Sequence, residues 1–186
     1  YFDYMATTPL APGVISAMQA CLDEEKLFGN PASNTHVYGN EARKLVEQAR
    51  LQVAGLINAS PREIIWTAGA TEADNLAIIG AARFHQRSGQ HIITVKTEHK
   101  AVLDSCASLA SEGFEITYLD VEKDGRINLA NLKAAIRADT ILISVMQVNN
   151  ETGVIQDIAA IAKIAKAAGV LFHMDAAQSL GKYSID

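Results

Sequence analysis

GVLFHMDAAQSLG, residues 169–181, begins with a glycine that ends a helical pattern and runs into the apolar stretch Val170 to Phe172. A short apolar run of this kind reads as a buried strand of a parallel sheet. At its carboxyl end the chain places an acid, Asp175, followed three residues later by Gln178. In open α/β sheets, ligands sit in the crevice outside the carboxyl ends of the strands. A carboxylate there can hold a protonated ring nitrogen, a metal or a ribose. It can equally cap the turn that Ala176-Ala177-Gln178-Ser179 begins, and on this stretch alone the two readings weigh the same.

Working outward, the same pattern recurs. Strands are expected near Ile64–Thr67, His91–Val95, Glu115–Leu119, Thr140–Val145 and Val170–His173. Helical periodicity fills the intervals at Glu72–Gln86, Ala101–Ser111, Asn131–Ile136 and Ile158–Ala168. Alternation of this kind predicts an α/β fold with a doubly wound, mostly parallel sheet. Right-handed crossovers would gather the carboxyl ends of the strands on one edge. Upstream, Tyr1 to Pro12 is an extended start, and Pro12 opens a helix of about a dozen residues with Val14, Met18, Cys21 and Leu22 on one face. Gly29-Asn30-Pro31-Ala32-Ser33 is a loop by its turn residues, and a longer helix follows over Tyr38 to Ile57.

The 186 residues are 49% hydrophobic, enough for one sizeable core or one domain with an appendage. The net charge of −5 is spread without long runs, and no basic patch alternates with aromatics, so nothing recommends nucleic acid as a partner. The apolar runs are too short to span a bilayer. Two distant cysteines, Cys21 and Cys106, without a CxxC, suggest reduced thiols packed in a core and a cytosol-like compartment.

Four places past strand ends carry residues suited to chemistry. Ala68-Gly69-Ala70-Thr71-Glu72 feeds a helix start, where free N–H groups and the positive dipole end suit a phosphate. Thr71 can add a hydroxyl, or can serve as a plain N-cap. This is neither GxGxxG nor a Walker sequence, which counts against dinucleotides and nucleoside triphosphates. His99, in Lys96-Thr97-Glu98-His99-Lys100, can stack on an aromatic ring or carry a proton near neutral pH, or can simply face solvent. Asn149 and Asn150, in Gln147 to Gly153, can donate to a ligand oxygen or bond their own backbone. Asp175 and Gln178 complete the set. A phosphate cup, an imidazole, amide donors and a carboxylate on one edge match a phosphorylated pyridine such as pyridoxal 5′-phosphate, whose ring nitrogen a carboxylate keeps protonated.

The sequence resembles the cysteine desulfurases, in the class V branch of the fold-type-I pyridoxal-phosphate enzymes, with the closest likeness to the housekeeping group that supplies sulfur for iron–sulfur clusters. The resemblance rests on Tyr1-Phe2-Asp3-Tyr4 with Ala6-Thr7-Thr8-Pro9, Phe28 to Ser33, Thr67 to Glu72, Lys96 to Leu103, Val148 to Gly153 and His173 to Ser179. These segments run in order from one end of the chain to the other. The resemblance implies a large cofactor-binding domain, incomplete here, over residues 12–186, with residues 1–11 contributing to a small domain. It implies that Ala70 and Thr71 form the phosphate cup, that His99 stacks on the ring and shuttles protons, and that Asn150 and Gln178 meet the ring's 3′-oxygen. Asp175 is then the pyridinium partner. It further implies a cytoplasmic homodimer that converts L-cysteine to L-alanine and passes sulfur, as an enzyme persulfide, to a scaffold or other acceptor protein.

The family's Schiff-base lysine lies in a Ser-(Gly/Ala)-His-Lys segment beyond the Gln178 motif. Its nucleophilic cysteine and an arginine for the substrate carboxylate lie further on. None falls within residues 1–186, and neither Lys100, Lys182, Cys21 nor Cys106 occupies a matching position. The chain alone is therefore expected to be inactive, as the N-terminal half of a desulfurase. Two other readings stand beside this one. One is a non-catalytic half-enzyme or binding partner. The other is a metal-dependent hydrolase using His173, Asp175 and His99, for which a third ligand of recognisable spacing is wanting.

Overall fold

His91–Val95 forms β1, five consecutive buried residues, and the other strands assemble around it. The computed structural model describes residues 1–23 and 27–183. In chain order the elements are α1 (Pro12–Asp23), α2 (Val37–Leu56), a 3-10 turn (Pro61–Glu63), α3 (Ala70–His85), β1, α4 (Lys100–Ser111), β2 (Glu115–Leu119), α5 (Leu129–Ala135), β3 (Thr140–Ser144), α6 (Ile158–Ala168) and β4 (Leu171–His173). The described residues divide into two compact units: Tyr1–Trp66 together with Tyr183, and Thr67–Lys182.

The second unit is the doubly wound α/β body. Its four strands run in the order β2-β1-β3-β4, all parallel. Side chains alternate across the sheet because successive residues of a strand point to opposite faces. Ile93, Val95, Ile143 and Val145 pack with Leu132 of α5 and with Ile161 and Ala165 of α6. Ile92 and Leu142 pack with Ile78 and Ala82 of α3 and with Val102, Cys106 and Leu109 of α4. Helices thus cover both faces, and the β1 and β3 runs are buried throughout, as a two-sided parallel sheet requires. The path goes outward from β1 to β2, returns past β1 to β3, and continues outward to β4. The winding reverses between β1 and β3, so the loops after those two strands flank the place where α/β sheets bind ligands.

The first unit holds α1, α2 and the loop between them. The loop's close approach to α2 depends on glycine: a Cβ on Gly39 would lie 2.1 Å from the Ser33 carbonyl oxygen, and one on Gly29 would lie 2.2 Å from that of Tyr38. Arg43 clamps the loop by donating to the Pro31 and Ala32 carbonyls at 2.9 and 3.2 Å.

Three expectations fail here. The run Val170 to Phe172 does not form a buried strand: β4 is the edge of the described sheet, with Leu171 43% exposed and Phe172 half-buried. Ile64–Thr67 is not a strand. Ile65 and Trp66 are 69% and 47% exposed, and no neighbouring strand among the described residues takes up their backbone groups, so β-propensity alone does not build a ladder. Cys21 is exposed rather than packed in a core, because the apolar face of α1, with Val14 and Met18, lies open among the described residues. Cys106 is in the α3–α4 core, where burial pushes its thiol up to about 12. No helix among the described residues is long and apolar enough to cross a membrane.

Candidate functional site

The loop after β1 carries Glu98 and His99, and the loop after β3 carries Asn149 and Asn150. Two polar links staple them together. The Met146 N–H donates to both carboxyl oxygens of Glu98, at 2.9 and 3.0 Å. The Asn149 amide donates to the Thr97 carbonyl at 2.8 Å, while its oxygen accepts from the N–H groups of Glu151 and Thr152 and from the Thr152 hydroxyl. Between the loops lies a pocket of about 420 Å³, lined by residues of both, His99 and Asn150 among them. Asn149 is therefore the residue that builds the loop, and Asn150, beside it and half-buried, lines the pocket.

His99 is the N-cap of α4: its Nδ1 accepts from the Ala101 N–H at 3.1 Å. That bond fixes the ring's orientation and places the proton of a neutral imidazole on Nε2. The residue is exposed, as a group that meets a ligand must be.

β4 delivers Asp175, which is 7% exposed. Its Oδ1 accepts from the Ala177 N–H at 2.8 Å, so the capping role weighed from the sequence is real. It takes only part of the carboxylate's capacity, since each oxygen can accept twice. The Asp175 carbonyl also accepts from Gln147 N–H at 3.0 Å, which ties this strand end to the loop after β3. Gln178, half-buried, follows on the same turn.

The start of α3 belongs to the same edge, because Asp74, one turn into that helix, reaches the end of β4. Its Oδ1 is 3.6 Å from His173 Nε2. The N-cap is Gly69, with no side-chain cap, and Thr71 stands inside the first turn rather than capping it. The N–H groups of Ala70 and Thr71 and the Thr71 hydroxyl are thus exposed at the positive end of a helix of 16 residues.

Sequence reasoning missed the most unusual feature, a group of buried acids. Asp74 is 4% exposed and Glu98 is 6% exposed. Burial, with Asp175 nearby, pushes the Asp74 carboxyl up to about 7. Burial pushes Glu98 up to about 8, partly offset by the Met146 hydrogen bonds and reinforced by Asp175 and Asp74. Burial lowers His173, against the pull of Asp175. No lysine or arginine among the described residues pairs with Asp74, Glu98 or Asp175, whereas seven ion pairs elsewhere among those residues do use one. The available signal was Asp74's place four residues before Ile78 and eight before Ala82, on the buried stripe of α3.

A buried acid group without a fixed cation suits a ligand that brings its own positive charge, and the uncapped helix start suits a phosphate. A phosphorylated pyridinium has both, so the residues fit pyridoxal 5′-phosphate. Among the described residues no group of three or more His, Cys, Asp or Glu is arranged to hold a metal ion.

Comparison with known proteins agrees. The family model for aminotransferase class-V matches residues 1–186. "Cysteine desulfurase IscS" of Photobacterium profundum is 59% identical over 186 residues, all of this chain and 46% of that protein. Among solved structures, "SspA in complex with cysteine" superposes with a TM-score of 0.93 at 41% identity, covering 100% of this chain and 53% of its own. The apo cysteine desulfurase of Thermococcus onnurineus gives 0.90 at 30% identity, covering 100% of this chain and 46% of its own. The chain spans about half the length of the curated relatives it matches. Enzymes of this kind are pyridoxal-phosphate-dependent. With the family matched over every residue, the chain belongs to the class-V aminotransferases.

Proposed function

We propose that the protein carrying this chain is a cysteine desulfurase. It converts L-cysteine to L-alanine and passes the sulfur, through an enzyme persulfide, to an acceptor protein for iron–sulfur cluster assembly. Residues 12–186 are the N-terminal part of its cofactor-binding domain, and residues 1–11 contribute to the smaller one. The observation that carries this reading is Asp175, a buried carboxylate at the carboxyl edge with no lysine or arginine partner among the described residues.

Bound here, pyridoxal 5′-phosphate would supply an electron sink for the amino-acid substrate. Ala70 and Thr71 bind its phosphate with backbone N–H groups and a hydroxyl at the start of α3. Asp175 holds a proton on its ring nitrogen, and the Ala177 N–H keeps that carboxylate oriented. Asn150 and Gln178 donate to the ring's 3′-oxygen. His99 stacks on the ring and carries a proton at Nε2, the nitrogen its N-cap bond leaves available. Glu98 and Asn149 hold the two loops at the spacing this requires. The full protein works as a cytoplasmic homodimer.

The test is turnover of L-cysteine by the full-length protein loaded with cofactor. With a dithiol reductant present to release the persulfide sulfur, alanine and sulfide should form in equal amounts, and His99→Gln should lower the rate by roughly 10²–10⁴-fold, the share of a positioned proton carrier. No alanine from the loaded wild type would refute the reading.

A further inference from the structure

His173 sits between two groups that no role above uses. Its Nδ1 is 2.9 Å from the Ser144 hydroxyl, on the neighbouring strand and in direct register with it. Its Nε2 faces Asp74 Oδ1 at 3.6 Å. Asp74 is almost wholly buried, and its Oδ2 has no hydrogen-bond partner among the described residues. An orphaned buried carboxylate oxygen is costly when charged, so this acid is favoured in its neutral form unless something compensates it. Burial pushes it up to about 7, which puts its proton in play near neutrality. The titratable groups around it are His173 and Asp175 from the end of β4, Glu98 from the loop after β1, and Cys106 from α4 behind Glu98. No lysine or arginine is among them.

We propose that Asp74 is a positioning residue of the cofactor site: with His173 and Ser144 it forms a buried proton-holding chain that sets the charge behind Asp175. The proposal rests on the reading of Asp175 as partner of the cofactor's ring nitrogen. When Asp74 holds its proton, a closing of the 3.6 Å separation by a few tenths of an ångström lets its hydroxyl donate to His173 Nε2. The imidazole then carries its proton on Nδ1 and donates to the Ser144 oxygen. When Asp74 loses its proton to solvent, it can only accept. The imidazole proton must then stand on Nε2, and Nδ1 accepts from the Ser144 hydroxyl. One proton leaves and the ring changes tautomer, with no other bond made or broken. The negative charge gained lies beside Asp175, where it strengthens the hold of that carboxylate on a cationic ring nitrogen.

The experiment is ¹⁵N NMR of the histidine rings in the full-length protein with cofactor bound, followed from acid to alkaline pH. The ¹⁵N signal of the cofactor ring nitrogen is read in the same samples. His173 should pass from the Nδ1–H to the Nε2–H tautomer across neutrality, and that step should vanish in Asp74→Asn, whose amide does not titrate. The cofactor ring nitrogen should lose its proton at lower pH in Asp74→Asn than in wild type. A purely structural Asp74 would move neither signal. A His173 that keeps one tautomer throughout in wild type overturns the proposal, and that result needs no variant to fold. A ring nitrogen found unprotonated at neutral pH also overturns it, by removing the Asp175 reading on which it rests, and is seen in a separate signal.

Discussion

Glu98→Gln isolates what it costs to keep one of the buried acids. The glutamine has the same shape, and its carbonyl oxygen can still accept the Met146 N–H, but it does not titrate. In wild type the carboxyl goes from an ordinary 4.5 to about 8 in the folded protein. The folded form therefore holds this proton more tightly than the unfolded chain does. The stability it contributes is complete below about pH 4.5 and is lost as pH rises through about 8. Within that window the loss is about 1.4 kcal/mol per pH unit, so about 4 kcal/mol over three units. Because Glu98 is only 6% exposed, solvent screening does not erase this. Urea unfolding of the cofactor-free full-length protein, followed by circular dichroism between about pH 5 and about pH 8, reads the difference directly. Wild type should lose about 4 kcal/mol more than Glu98→Gln over that range, with part of the remaining slope common to both and owed to Asp74. Parallel stability curves for the two proteins would show that Glu98 is not desolvated as its position implies.

Other consequences follow from the same packing. His91 is fully buried at the start of β1, with its ring nitrogens 2.7 and 2.8 Å from the Thr140 and Thr117 hydroxyls. Burial, and then Arg137, lower its proton affinity, so its contribution to stability is present above 6.5 and lost as pH falls; His91→Gln should flatten the acid limb of the same unfolding curves. Ile93→Ala, in the core between the sheet and α5–α6, should cost about 2–5 kcal/mol in urea unfolding. Gly39→Ala drives a methyl group to 2.1 Å from the Ser33 carbonyl and should expose the loop before α2 to proteolysis, while leaving hydrogen exchange in β1 and β3 unchanged.

Much of this was legible in the chain, for identifiable reasons. Strands buried on both faces are continuous apolar runs, and His91–Val95 and Thr140–Ser144 stand out as such between amphipathic helices. The residues after each strand were then placed on one edge by topology alone, which is how His99, Asn149, Asn150 and Asp175 became candidates without coordinates; the family resemblance alone singled out Asn150 from Asn149. The failures are of another kind. Ile64–Thr67 has the composition of a strand, yet a strand exists only with a neighbour to bond, and composition cannot report the neighbour. Thr71 reads as a cap until the backbone shows that the helix starts two residues earlier, after Gly69. Asp74 and Glu98 look like surface acids in sequence. Their importance comes from what surrounds them, Asp175 and His173 on one side and the apolar α3–α4 core on the other, and those neighbours lie far away along the chain.

The central claim is that Asp175 holds the proton of a cofactor ring, and Asp175→Asn in the full-length protein tests it most directly. The amide keeps the size of the pocket and can still accept from the Ala177 N–H, and the proposed phosphate cup at Ala70 and Thr71 is untouched. Titration with pyridoxal 5′-phosphate should show binding that is weaker than in wild type but not abolished. Cysteine turnover at saturating cofactor should fall by about two orders of magnitude or more, the scale of losing a preorganised electrostatic contact. Turnover at the wild-type rate with cofactor bound would mean that Asp175 only caps its turn, and the site built around it would be wrong.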